Sequence, residues 1–163
     1  MPVVPATNGY RLPTEAEWDW VARVNGDPAS LLRFPWGAEL PPPANHGNYA
    51  DVSAGNFLGR ILRDYDDGYM GTSPVSSFAA NANGFYDIGG NVAEWVHDWY
   101  GTVGTVGTEV QQDPLGPASG SYHVIKGSSW AHGTVTELRL SFRDYHNAAR
   151  DDVGFRVARY LGE

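Results

Sequence analysis

The sequence contains no cysteine. That absence excludes a disulfide, a thiolate nucleophile and a cysteine-ligated metal, and it removes the usual cue to an oxidising or reducing compartment. Cations are also scarce: 11 Lys and Arg stand against 19 Asp and Glu, a formal net charge of -8. A chain of that sign repels phosphate backbones, so no nucleic-acid partner is expected. No basic amphipathic stretch suits a membrane surface, and no apolar run approaches ~20 residues, so no membrane span is expected. The opening "MPVVPATNGY" lacks the charged and apolar regions of a secretory signal.

Glycine and aromatics are abundant. The 163 residues include 20 Gly, 11 Pro, 6 Trp and 9 Tyr, with 42% apolar residues overall. This composition fits one domain with a real core, many turns and long ordered loops pinned by buried rings. "RLPTEAEWDWVARV" predicts a helix ending near Val24. Thr14 and Glu17 have the spacing of a capping box, Pro13 and Trp18 that of a hydrophobic staple, and Trp18, Val21 and Ala22 share a face. Residues 92–99 fit either a helix or a strand covered on both faces. "YHVIKGSSW", "VGFRVARY" and "ELRLSFRDY" read as strands, the last with Leu138, Leu140 and Phe142 on one side. Between Pro28 and Pro74 regular structure is scarce, and "TVGTVGTEVQQDPLGPASGS" reads as a surface excursion.

One stretch, "NGFYDIGGNVAEWVHDWY", crowds rings, carboxylates and a Gly-Gly pair together. Two readings fit the residues: a tight turn capped by Asp87, or a hard cation held by carboxylates and bent-backbone carbonyls. The rings Phe85, Tyr86, Trp95 and Trp99 are expected in the core.

Taken with "YRLPTEAEW", "FPWG", "GNYAD", "DGYMGTSPV", "DPLGP", "VIKGSSW" and "GFRVAR", in this order over residues 10–159, the stretch resembles the formylglycine-generating enzyme (sulfatase-modifying factor) family. The resemblance implies an α+β, loop-rich, C-type-lectin-like fold. It also implies that residues 1–163 form a single domain lacking the family's N-terminal portion, and it favours a periplasmic or secreted setting. It implies structural calcium at two positions. One uses the side chains of Asp87 and Glu94 with the carbonyls of Gly90 and Val92. The other uses Asn48, the Tyr49 carbonyl, Asp67 and the Tyr69 carbonyl.

The family's reaction uses two cysteines that bind copper(I), and their positions here fall on His132 and Glu137. Neither supplies the soft thiolate that copper(I) prefers, so neither copper binding nor the family reaction is expected. One reading makes His132 and Glu137 exposed polar residues on a site that has lost its chemistry. Another makes them ligands of iron or zinc in a divergent oxidoreductase, although two ligands are few for a metal. Arg139, Arg143, Arg150, Arg156 and Arg159 are expected to pair with carboxylates such as Asp144, Asp151 and Asp152. The function expected first is a calcium-stabilised binding or scaffold domain for a protein, peptide or glycan. A ligand-displaying variable protein, differing between copies near residues 129–150, is a further alternative.

Overall fold

Thr14 opens the one α-helix of the described residues. In the computed structural model, which describes residues 9–27, 29–102 and 112–160, helix α1 spans Glu15–Arg23. The Thr14 hydroxyl accepts the Glu17 N–H at 3.1 Å and the Glu17 carboxylate accepts the Thr14 N–H at 2.8 Å, completing the capping box. Such a cap is worth about 1 kcal/mol. Glu17 also takes both terminal nitrogens of Arg11 at 2.7 Å, tying the entry of the helix to the chain before it. Pro13 and Trp18 are both buried.

The remaining regular structure is a four-stranded mixed sheet in the order β3-β2-β1-β4, formed by β1 (Ala93–Trp99), β2 (His123–Lys126), β3 (Arg143–His146) and β4 (Val153–Phe155). β2 runs antiparallel to β1 and to β3, while β4 lies parallel to β1. A 3-10 turn, Val52–Ala54, interrupts the long loop region. Residues 92–99 thus resolve to a strand. Val96 is fully buried, and Ala93 nearly so, between the helix and the loops. The architecture is the expected α+β fold with little regular structure.

Register places charges opposite the helix. Glu94 pairs with Lys126, and Lys126 with Arg143. On the helix, Glu15 meets Arg143 Nε at 2.8 Å, and Asp19 meets the buried Lys126 Nζ at 3.2 Å. Burial drives the Asp19 carboxyl upward despite that ammonium. The helix therefore docks by matched charge as well as through the Trp18 ring.

Two apolar clusters fill the interior. Trp18, Ala22, Ile88, Val96, Val124 and Leu140 lie between helix and sheet. Phe34, Tyr49, Tyr65 and Leu138 lie under the loops. Here one expectation fails. Residues 137–142 are turns, and β3 begins only at Arg143. Leu138 and Leu140 alternate with polar residues because they serve the two different clusters, not because they share a sheet face. Phe85 and Tyr86 also depart from expectation: they are 39% and 48% exposed, so the core near this turn is built by Ile88 instead. At the end of β4 the polar side turns inward: Phe155 is 68% exposed, while Arg156, just after the strand, reaches Glu94. Residues 103–111 of the expected surface excursion lie outside the described residues.

Candidate functional site

The Gly-Gly stretch is a turn. Asp87 (φ 55°), Gly89 (φ 79°) and Asn91 (φ 66°) all take left-handed backbone, and the Gly90 N–H reaches the Asp87 carbonyl at 3.4 Å. Asp and Asn tolerate this region better than other side chains do. At Gly89 only glycine fits: a Cβ would stand 2.8 Å from Pro35 Cγ and 3.0 Å from Leu140 Cδ2. Asn91 is the clasp of this turn. Its Oδ1 accepts the Ser73 N–H at 3.0 Å, its N–H reaches the Asn48 carbonyl at 3.0 Å, and its carbonyl accepts the Trp130 N–H at 2.8 Å. The sequence reading passed over Asn91, although an Asn following Gly-Gly was the available signal.

Asp87 and Glu94, paired in the sequence reading, have different occupations. Asp87 Oδ2 accepts the Ser76 N–H at 2.7 Å, while Oδ1 is buried without a hydrogen-bond partner. Glu94 is 5% exposed, and both its oxygens are taken. Oε1 lies 2.5 Å from Arg156 Nη2. Oε2 lies 2.6 Å from Arg156 Nε and 2.7 Å from Trp18 Nε1. Gly90 is buried and Val92 partly so, at the start of β1.

The other expected position lies under the loops. Asn48 is fully buried. Its Nδ2 donates to the Gly71 carbonyl at 2.7 Å and to Asn91 Oδ1 at 3.3 Å, but its Oδ1 has no donor. Asp67 accepts the N–H groups of Tyr49 and Tyr69, each at 2.8 Å. Burial pushes its carboxyl up to about 6; those two N–H groups oppose the rise and neighbouring Asp51 adds to it. Buried Asp51 holds the loop, accepting the N–H groups of Ser53 and Asp67. Asp67 thus ties Tyr49 and Tyr69 together through their N–H groups, next in sequence to an Asn48 oxygen that lacks a donor.

His132 corrects the reading of an exposed residue. It is 9% exposed, its Nδ1 accepts the Ser129 N–H at 3.2 Å, and its ring packs edge-on to Phe142. Its Nε2 lies 3.9 Å from Asp152 Oδ2. Burial lowers the imidazole pKa; Glu137 and Asp152 pull it up, and Arg150 pushes it further down. Asp152 also accepts the Ser129 hydroxyl at 3.2 Å and both Nε and Nη2 of Arg150, whose Nη1 reaches Asp144 at 2.7 Å. The expected pairing of Arg150 with Asp144 and Asp152 is present, whereas Arg143 and Arg156 turn to Glu15 and Glu94. Glu137 faces its own turn, accepting the Thr134 N–H at 3.0 Å and hydroxyl at 2.7 Å. Among the described residues no three His, Cys, Asp or Glu side chains are arranged to hold a metal ion. Among the described residues His132 and Glu137 therefore find no third ligand of those types.

Comparison with known proteins agrees with this architecture. Residues 5–161 match the sulfatase-modifying factor enzyme 1-like domain. A formylglycine-generating enzyme of Thermomonospora curvata is 42% identical over 156 residues, 92% of this chain and 49% of that protein. The mouse protein called inactive C-alpha-formylglycine-generating enzyme 2 is 32% identical over 164 residues, 96% of this chain and 45% of that protein. Among solved structures, Treponema denticola variable protein 1 superposes with a TM-score of 0.61 at 33% identity, covering 93% of this chain and 48% of that one. The chain spans about half the length of these relatives. With its fold, its ordered motifs and these matches, the chain belongs to the formylglycine-generating enzyme (sulfatase-modifying factor) family.

Proposed function

We propose that this chain is a formylglycine-generating-type domain without the thiol chemistry, serving as a calcium-stabilised binding or scaffold domain. The observation that carries the reading is the Asn48 Oδ1 atom, buried without a donor, one residue before Tyr49, whose N–H binds the desolvated Asp67 carboxylate. An amide oxygen so placed costs stability unless something electropositive meets it. Calcium, which takes six to eight oxygens, suits that set. Asn48, Asp67 and the carbonyls of Tyr49 and Tyr69 would hold it, and the ion would supply the positive charge that the loop lacks. At the second position the unpartnered Asp87 Oδ1 suits a cation too, with the Gly90 and Val92 carbonyls. Glu94 would have to be shared with Arg156 and Trp18, so that position supports the reading less.

Thermal unfolding tests the calcium. Stabilisation is expected to reach ~2.7 kcal/mol at a free concentration about one hundred times the dissociation constant. Asp67→Asn is expected to blunt this response. A melting temperature unmoved by thorough chelation, with no calcium in the purified protein, rules the ion out.

The absent thiols carry the other half of the proposal. Incubated with copper(I), oxygen and a peptide bearing a Cys-x-Pro-x-Arg sequence, the chain is expected to yield no aldehyde, and multiple turnover would overturn that. The mouse relative called inactive is consistent with such a role. The likeness to the Treponema variable protein favours display of a ligand surface as a second reading. Buried Ser128, Ser129, Leu138 and Leu140 would confine variation near residues 129–150 to exposed positions such as Val135 and Tyr145.

A further inference from the structure

The cations that join helix and sheet are all matched. Arg11, Arg23, Lys126, Arg143, Arg150 and Arg156 each have a carboxylate within 4.0 Å. Arg139 and Arg159, expected to pair with carboxylates, have none at that distance among the described residues, and neither do Arg33, Arg60 and Arg63. Arg33, Arg60, Arg63 and Arg139 all border one turn. The Leu138 N–H reaches the Thr134 carbonyl at 3.1 Å, so the chain winds once before Arg139. Beside Arg139, Leu138 enters the cluster that also buries Phe34, with Leu62 packed against it. Arg33 precedes Phe34 and Arg63 follows Leu62 in sequence. The Arg33 carbonyl accepts the Leu140 N–H at 3.0 Å, and a Cβ on Gly133 would stand 2.4 Å from the Arg60 carbonyl oxygen. Arg159 belongs to another segment, over the Tyr10 ring.

Exposed arginines without partners cost little, since water solvates them, and Arg33, Arg60 and Arg63 are of that kind. Arg139 is not. It is half-buried, and its Nε is out of solvent without an acceptor. Its two terminal nitrogens also lack partners among the described residues, but they reach solvent. A guanidinium cannot shed its charge, so an acceptor from outside would relieve it. A planar carboxylate fits the guanidinium fork. Nearby carboxylates are engaged elsewhere: Glu137 accepts from Thr134, and Asp51 from Ser53 and Asp67. Asp64, next to Arg63, is exposed and pairs with none of the cations. Leu31, two residues before Arg33, is 51% exposed, and Val135, one turn from Arg139, is 41% exposed. Apolar side chains among unmatched arginines suit a peptide carrying carboxylates and apolar groups better than a sulfated glycan, which offers charge alone. We propose that the loop face around residues 133–140 binds an acidic peptide segment, with Arg139, Arg33 and Arg63 taking its carboxylates. This rests on the binding-domain reading and names its partner, while calcium at Asn48 and the missing thiols are tested without these arginines.

The probe is a fluorescein-labelled, capped peptide of Glu-Glu-Leu repeats, titrated with the full chain in calcium and again in chelator. Salt is held at about 0.1 M, where charges beyond ~10 Å are largely screened. Fluorescence anisotropy is expected to saturate with a dissociation constant of about 50 μM, and the same peptide with Gln for Glu to bind at least about tenfold more weakly. Arg139→Gln is expected to lose about tenfold in affinity while keeping its melting temperature, because the free chain offers that guanidinium no partner to lose. Arg33 and Arg63, both exposed and both changed to Gln in one chain, are expected to lose about as much. Arg159→Gln removes the same charge from another segment and is expected to bind as wild type. No saturation below roughly 1 mM overturns the proposal, as does equal binding of the Gln peptide. So does an equal loss in Arg159→Gln, which would mean that the peptide reads net charge. Binding seen only in calcium overturns it by placing the carboxylates on an ion. Tighter, Arg139-dependent binding of a heparin-derived hexasaccharide overturns it by making the face a glycan site. If Arg139→Gln melts lower, the Arg33 and Arg63 double variant decides, and undiminished binding there overturns the proposal. A peptide failure leaves the calcium and aldehyde results standing, and their failure leaves a peptide result standing.

Discussion

Glu94→Gln is expected to destabilise the chain by about 3 kcal/mol, seen as a lowered urea midpoint at unchanged slope. Glu94 is nearly buried and receives three charge-assisted hydrogen bonds, two from Arg156 and one from Trp18. Glutamine keeps the shape but turns an amide N–H₂ toward groups that only donate, so one donor loses its acceptor and Arg156 loses its counter-charge. The Arg156 side chain is 24% exposed, so water recovers part of the loss, which places the figure at the lower end of the range for broken buried pairs. The pair joins three segments distant in sequence: helix α1 through Trp18, strand β1 through Glu94, and the chain after β4 through Arg156. Arg156→Gln alone should cost less, and the double variant less than the sum, because each single change already breaks the same pair. The penalty should persist in chelator. A loss below about 1 kcal/mol would show that the pair contributes little, and a loss that vanishes on removing calcium would show that the ion and not Arg156 compensates Glu94.

Some of this was legible locally. The capping box needs only Thr14 and Glu17 three residues apart, and helix α1 begins and ends where that pattern and Val24 place it. The motifs that hold β1, β2 and β4 were legible as part of a family pattern, hence the fold. What stayed hidden was set by partners far away in sequence. Residues 92–99 fit two periods because the side of β1 toward the helix carries Glu94 and Asp98 beside buried Val96, so polarity does not mark the outer face. The alternation of Leu138 and Leu140 imitated a strand because the two side chains enter different clusters from consecutive turns. Arg156 and Lys126 turn inward because Glu94, Glu15 and Asp19 wait there, and no local rule places a cation inside a domain. The residues of the candidate cation positions were legible by resemblance, but not their occupations. Glu94 lies 62 residues from the arginine that claims it.

His132→Ala is expected to cost about 2–3 kcal/mol, against the small loss an exposed turn residue would give. Truncation removes the acceptor of the Ser129 N–H and leaves a space against Phe142 in a site that Asp152 and Arg150 keep rigid. Because Ser129 donates to Nδ1, the neutral ring carries its proton on Nε2, toward Asp152. Protonation at Nδ1 would break that bond and bury a charge near Arg150. Burial accordingly lowers the folded pKa below the unfolded value of about 6.5. As pH falls below about 6.5 the unfolded chain takes up the proton first, so stability contributed by the neutral ring is lost from that pH downward and is full above it. Asp67 works the other way. Its folded pKa of about 6 lies above the unfolded one, so its contribution rises as pH falls through 6. Wild type alone would mix the two slopes. Urea unfolding of wild type and His132→Ala from neutral to acidic pH separates them, since Asp67 is common to both. The difference between the two proteins should shrink as pH drops below about 6.5. A constant difference would mean that the ring does not titrate on unfolding, and a difference that grows in acid would mean that the folded protein holds His132 protonated against Asp152.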